Sequence, residues 1–149
     1  KIKKDFHARY DAKSRFYRYQ CYIGNSILYR NQSWILPSLD IDYLNIFAKQ
    51  LIGDHDFLSF SKYNKDQKNT DCNIFESKWV SDKKMLTYKI GANRFLHHMI
   101  RYLVGTMVAL YQKRFSEKEF LSLLKEPRKQ VKIVKAPAQG LILEKINYV

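Results

Sequence analysis

The stretch GANRFLHHMIRYLVGTMVALY, residues 91–111, constrains the chain more than any other, because a long apolar segment carries Arg101 in its middle. Helical spacing of three and four residues places His97, Arg101, Val104, Gly105 and Val108 on one face, with Met99, Leu103, Thr106 and Leu110 opposite. From Val104 onward both faces are apolar except at Thr106, which predicts a helix buried nearly all round. Burying a guanidinium with no carboxylate or phosphate opposite it costs a large share of the about 5 to 15 kcal/mol that stabilises a whole domain. Arg101 therefore snorkels to the helix edge, pairs with a structural acid, or serves a functional anion.

Charge narrows the partners. The chain has 149 residues, with 27 Lys and Arg against 14 Asp and Glu, a formal net charge of +13 that draws it toward polyanions. It is 46% hydrophobic and 15% aromatic, too apolar for disorder, and its length fits one domain spanning residues 1–149. Nucleic acid is the leading partner class. A lipid surface would call for an amphipathic helix with a basic face, and no apolar run escapes Arg or His for long enough to span a bilayer. The start, KIKKDFHARYDAK, lacks the apolar core of a signal peptide, so a cytoplasmic location and no membrane are expected. Cys21 and Cys72 have no CxxC spacing and should stay reduced.

The order of elements reads as strand, helix, two strands, two helices, strand. Residues 15–23 alternate as a strand does, and 25–34 form an excursion ending at Pro37. Asp40 caps a helix over IDYLNIFAKQLIG, stopped by Gly53. The polar run DHDFLSFSKYNKDQKNTDCN reads as an ordered loop anchored by Phe57 and Phe60, which are expected to pack rather than to touch bases. Residues 73–80 and 85–92 form a hairpin, and the helix containing Arg101 follows at once. SEKE at Ser116 has the capping-box pattern, and the helix it opens ends before Pro127. After the basic loop PRKQVKIVKAPAQG, residues 141–148 close the chain as a strand. The fold class is α+β, with a mixed, largely antiparallel sheet carrying helices.

Few residues point to chemistry on their own. His97 and His98, as neighbours on a helix, would point about 100 degrees apart and so do not chelate one metal ion. No GxxxxGK[ST], GxGxxG or GxSxG motif occurs, which removes support for nucleotide hydrolysis and serine-hydrolase chemistry. More suggestive is FHARYDAKSRFYRYQCY, whose alternation puts Arg15, Tyr17, Tyr19 and Cys21 on one face and Phe16, Arg18, Gln20 and Tyr22 on the other. Interleaved cations and rings suit RNA, since arginines meet phosphates while rings stack on unpaired bases. A sheet whose tyrosines pack against helices and whose arginines are solvated would read the same way.

Four segments carry a resemblance. FHARYDAKSRFYRY at 6–19, DFLSFSK at 56–62, the run from Asn93 through FLHHMIRYLVG to Gly105, and APAQGLIL at 136–143 occur in one order. Together they closely resemble the C-terminal half of the bacterial tRNA pseudouridine synthase A family. The resemblance implies a cofactor-free enzyme that detaches a uracil from its ribose at N1, turns the base and rejoins it through C5. It implies tRNA as partner, with the target uridines on the 3′ side of the anticodon stem-loop, and by family analogy a homodimer. The family's catalytic aspartate lies in a Gly-Arg-Thr-Asp motif of its N-terminal half. That motif is absent from residues 1–149, and Asp5, Asp11, Asp54, Asp56 and Asp71 lie in other contexts, so no catalytic residue is assigned here. Tyr17 matches the tyrosine that stacks on the target uracil, Arg101 the arginine that pairs with the aspartate, and Leu141 the apolar lining of the uracil pocket. Arg9, Arg15 and Lys62 are candidate RNA contacts, and no residue is assigned to metal. At 70–75 the chain lacks the arginines the family often carries. Charge and rings alone would equally fit a non-catalytic α+β RNA-binding module, which gives no reason for a buried Arg101; a pseudoenzyme derived from the same family is the other alternative.

Overall fold

The computed structural model describes residues 4–148. Six strands and three helices appear in the order β1 (Ser14–Ile23), β2 (Trp34–Leu36), α1 (Ile41–Gln50), β3 (Gly53–Asp56), β4 (Asp71–Asp82), β5 (Met85–Ala92), α2 (Met99–Tyr111), α3 (Glu117–Lys125) and β6 (Leu141–Asn147). The sheet runs β2-β1-β5-β4-β3, with β6 also on β1, and is antiparallel except where β2 meets β1. The fold class is thus α+β, as the order of elements predicts.

Strand β1 organises the rest because one of its edges is shared. Ser14 to Tyr19 pair with β6, while Cys21 to Ile23 pair with β2. On its other edge, Tyr17, Tyr19 and Cys21 lie opposite Ile90, Tyr88 and Leu86 of β5. Tyr19, Cys21, Tyr88 and Ile90 are almost wholly buried, so this face of the sheet is the floor of the core. The alternation of β1 therefore serves packing on this face, and the balance between rings for RNA and rings for the core is settled locally for Tyr19. Burial pushes the thiol of Cys21 far up and that of Cys72 to about 11, which keeps both thiols protonated.

Helix α2 is enclosed as its sequence demands, with every residue from Leu103 to Leu110 buried. Trp79 from the sheet places its Nε1 3.4 Å from Met107 Sδ. Phe120 of α3 packs edge-on against Phe47 of α1 at 5.4 Å and against Phe60 at 5.7 Å. Phe57 and Phe60 are fully buried, in keeping with their expected packing role. Among the buried residues of α2 the one polar side chain is that of Thr106, whose Oγ1 donates to Tyr102 O at 2.6 Å. Gly105 is required by a close approach: a Cβ there would lie 2.1 Å from the carbonyl oxygen of Val134, so only glycine lets the 131–137 segment lie on the helix.

Three expectations change. Strand β5 ends at Ala92 as expected, but the helix begins only at Met99, so His97 is on no helical face and Arg101 sits in the first turn rather than mid-helix. The cause is a turn at Leu96 to His98, where His98 takes φ 61 and Met99 N donates to Leu96 O at 3.1 Å. Two strands, β2 and β3, were not expected. Each is a short edge strand of three or four residues, held by backbone pairing without apolar alternation, and β3 begins at Gly53 with φ 103. The caps agree with expectation: Asp40 Oδ1 accepts from Asp42 N and Tyr43 N, and Ser116 with Glu119 forms the capping box.

Gly105→Ala should lower stability by about 1 to 3 kcal/mol, because the new methyl group meets main chain that cannot rotate away. Urea unfolding followed by tryptophan fluorescence measures it, and an unchanged midpoint would mean that the 131–137 segment is not seated on α2.

Candidate active site

The site is assembled at the start of α2 by the segment that crosses it. Ala136 N donates to Arg101 O at 3.0 Å, and Arg101 Nε donates back to Ala136 O at 2.7 Å. This two-bond clasp uses one of the five guanidinium N–H groups and leaves the two terminal nitrogens without a hydrogen-bond partner among the described residues, so that the fork can donate bidentately to a carboxylate or phosphate. Arg101 is half-buried rather than buried, which removes the desolvation problem posed by the sequence. Among the described residues the single ion pair is Lys78 with Glu76 at 3.3 Å, so no described acid neutralises Arg101.

The same segment reaches the sheet one residue later. Tyr19 OH donates to Pro137 O at 2.7 Å. Burial drives the Tyr19 phenol far above its ordinary pKa, with Cys21 adding to the shift and Arg101 opposing it, so the hydroxyl remains a donor at any working pH. Gly140 then passes over Tyr19, since a Cβ at that position would lie 2.7 Å from its ring and 2.8 Å from Gln20 O. Leu141 enters β6 directly opposite Tyr19, and Leu143 lies opposite Tyr17.

Tyr17 is half-buried, with its ring edge-on to Phe95 at 5.3 Å and 88°. Its hydroxyl has no hydrogen-bond partner among the described residues, in contrast to that of Tyr19. The facing Leu143 is 47% exposed, so the sheet face is open at this end and closed by the core at the other. Tyr17, Phe95, Leu141 and Leu143 make an apolar wall with one ring available for stacking, and Arg101 stands beyond the 136–141 turn. The structure therefore brings Tyr17, Leu141 and Arg101 around one turn although they are scattered along the chain.

The candidate RNA contacts separate. Arg15 is committed internally: its Nη1 donates to Asn93 O at 2.7 Å and to Ala12 O at 3.2 Å, and its Nη2 to Arg9 O, which ties the segment before β1 to the end of β5. Arg9 lies over the ring of Tyr10 at 5.9 Å on the surface. Lys62 is exposed at the mouth of a groove of about 200 Å³ that it shares with Tyr63, Lys65, Lys68 and Lys129, with Lys129 Nζ 4.1 Å above the Tyr63 ring. Phe95, Lys135 and the main chain of Ala136 and Pro137 join the site without any local sequence signal; the small residues of APAQG are the sole hint that backbone must come close there. Among the described residues no three His, Cys, Asp or Glu side chains converge as metal ligands. No described helix is long and apolar enough to cross a membrane.

An arginine fork with no described acid opposite it, beside a tyrosine-lined apolar wall on a basic chain, has the chemistry to receive an anion next to an aromatic ring. A family model described as tRNA pseudouridine synthase matches residues 47–149, and the chain belongs to that family. Similar proteins include a tRNA pseudouridine synthase A of Chlorobaculum tepidum, 36% identical over an aligned stretch of 148 positions that covers 97% of this chain and 59% of the relative. Another, of Chlorobium limicola, is 38% identical over 97% of this chain and 60% of its own length. A third, of Dictyoglomus thermophilum, is 38% identical over 99% of this chain and 64% of its own. The chain thus spans roughly three fifths of the length of these curated relatives.

Tyr19→Phe should cost about 1 to 3 kcal/mol, because the carbonyl of Pro137 loses its donor in a buried setting. Hydrogen exchange should show faster exchange at Ala136 N, which belongs to the clasp, and at Leu141 N. Unchanged exchange at both would show that the tyrosine does not hold the turn.

Proposed function

We propose that residues 1–149 are the RNA-binding and active-site-completing part of a tRNA pseudouridine synthase, an isomerase that converts uridine to pseudouridine in the anticodon stem-loop. The observation that carries this reading is the clasped Arg101, whose fork has no described acid to pair with. A nearby guanidinium favours the ionised form of a carboxylate, so Arg101 would hold a catalytic aspartate charged and oriented. That aspartate would come from outside residues 1–149. Tyr17 stacks on the extruded uracil, and Leu141 lines the pocket wall. The reaction breaks the bond between N1 and the ribose C1′, turns the base in the pocket, joins C5 to C1′, releases the C5 proton to solvent and takes up one proton at the freed N1. No atom is gained or lost, in keeping with an intramolecular transfer.

Affinity for the substrate rests on the excess positive charge, which acts on phosphates by releasing counterions. Lys62 and Arg9, both exposed, make such contacts in this reading. Arg15 contributes through the fold. The reading carries with it a cytoplasmic location and a homodimer.

In an enzyme containing this segment, Tyr17→Ala should lower turnover far more than tRNA affinity, since stacking on one base contributes about 1 to 3 kcal/mol while phosphate contacts are distributed. Tyr17→Phe should keep most of the turnover, because its hydroxyl has no partner to lose. Arg101→Ala should depress turnover severely, with Arg101→Lys partly active through its charge but lacking the planar fork. Tritium release from labelled tRNA measures turnover. Normal turnover of Tyr17→Ala, or a defect confined to affinity, would refute the stacking role.

A further inference from the structure

His97 and His98 take no part in the chemistry proposed above, and they are not arranged as the sequence predicts. Their rings stack in the turn before α2, with centroids 3.9 Å apart and planes 25° apart. His98 is held in the left-handed region at φ 61, a conformation that a residue with a Cβ adopts at a cost, and its side chain caps nothing. The backbone is pinned from three sides: Lys62 N donates to His97 O at 3.0 Å, Met99 N to Leu96 O at 3.1 Å, and Tyr102 N to His98 O at 3.1 Å.

The groups facing His98 come from every element around it. His97 lies on its own turn, Lys62 on the loop after residues 58–60, Arg101 on α2, and Lys135 on the segment clasped to α2. Tyr102 lies edge-on to His98 at 6.4 Å, and the Lys135 ammonium is 6.0 Å from the Tyr102 ring. Burial first, and then these positive neighbours, lower the pKa of His98, so the free imidazole is neutral at pH 7. Three elements thus converge positive groups on one pair of imidazoles, and no described acid forms an ion pair with any of them. A metal cation would be repelled by the same lysines, and stacked rings cannot converge on one ion. An anion would relieve the mutual repulsion.

We propose that the His97–His98 turn, with Lys62 and Lys135, binds a backbone phosphate of the RNA beside the target uridine, and that His98 takes up a proton as the phosphate seats. The inference rests on the tRNA reading above and adds to it a defined phosphate site and a pH dependence. Arg101 stays with the aspartate; the phosphate is held by the two lysines and the imidazole N–H groups. A phosphate in place raises the pKa of His98 above its free value. Affinity therefore gains as pH falls through the bound-state pKa, and the gain is complete below the free-state value. For one proton the slope approaches about tenfold per pH unit.

The test uses the full-length protein that contains this segment and an anticodon stem-loop RNA, with binding read by fluorescence anisotropy from about pH 8 to about pH 5.5 at several salt concentrations. His98→Asn is chosen because asparagine tolerates the left-handed conformation, and Lys135→Gln because that side chain is exposed. Wild-type affinity should rise as pH falls, and His98→Asn should flatten the rise. His97→Asn should leave most of it. Each of His98→Asn at low pH and Lys135→Gln should reduce the salt slope by about one phosphate contact. Steep salt dependence with the same pH response in wild type and His98→Asn would overturn this proposal and leave the tRNA reading standing. No RNA binding by the wild type at low salt would overturn both.

Discussion

The clasp between Arg101 and Ala136 is the interaction on which the site depends. It joins two chain segments 35 residues apart by two hydrogen bonds of 2.7 and 3.0 Å, one from the side chain and one to the main chain of the same arginine. Because Nε is the group used, the guanidinium is fixed in direction and its outer fork is left open. Gly105 makes the clasp possible by letting Val134 lie against α2, and Tyr19 extends it to the sheet through Pro137. Any one of these contacts is worth little alone. In series they place the end of the basic loop at the start of β6, which puts Leu141 opposite Tyr19 and next to Tyr17.

The electrostatic consequence is a region of unbalanced positive charge at the one end of the sheet face that the helices leave open. A fixed, half-desolvated cation interacts with an arriving carboxylate far more strongly than a solvated one, since less water must be displaced when the pair forms. On the proposed reading, the charge of this site is completed by the substrate and by the aspartate. Tyr17 and Tyr19 show how two residues of one type on one strand face divide the work. Two positions apart, one has its hydroxyl tied to a carbonyl and its ring in the core, and the other keeps a free hydroxyl and a ring at the edge.

Much of this was legible in the sequence where the signal was local. The alternation of residues 15–23, the Asp40 cap, the Ser116 capping box and the buried character of α2 from Val104 onward all follow from periodicity and end chemistry. The family resemblance, carried by four collinear motifs, is what singles out Tyr17, Arg101 and Leu141 as candidates, and without it Arg101 had three open explanations. What escaped was set by distant partners. The start of α2 depends on a left-handed residue at His98, which apolar periodicity cannot reveal. Arg15 looks like an RNA contact until Asn93, 78 residues away, is seen to accept its proton. Strands β2 and β3 exist because an edge was available to pair with, and three apolar residues in one case and four largely polar ones in the other are too short to carry a pattern that announces it.

Arg101 as a cation awaiting a carboxylate from outside residues 1–149 is tested most directly by reconstitution. Tritium release from labelled tRNA is to be measured with this chain alone, with a separately produced segment carrying a Gly-Arg-Thr-Asp motif, and with the two mixed. Turnover should appear in the mixture alone, and an Arg101→Ala version of this chain should fail to restore it. Turnover by the lone chain, or full rescue by the Arg101→Ala version, would contradict the account.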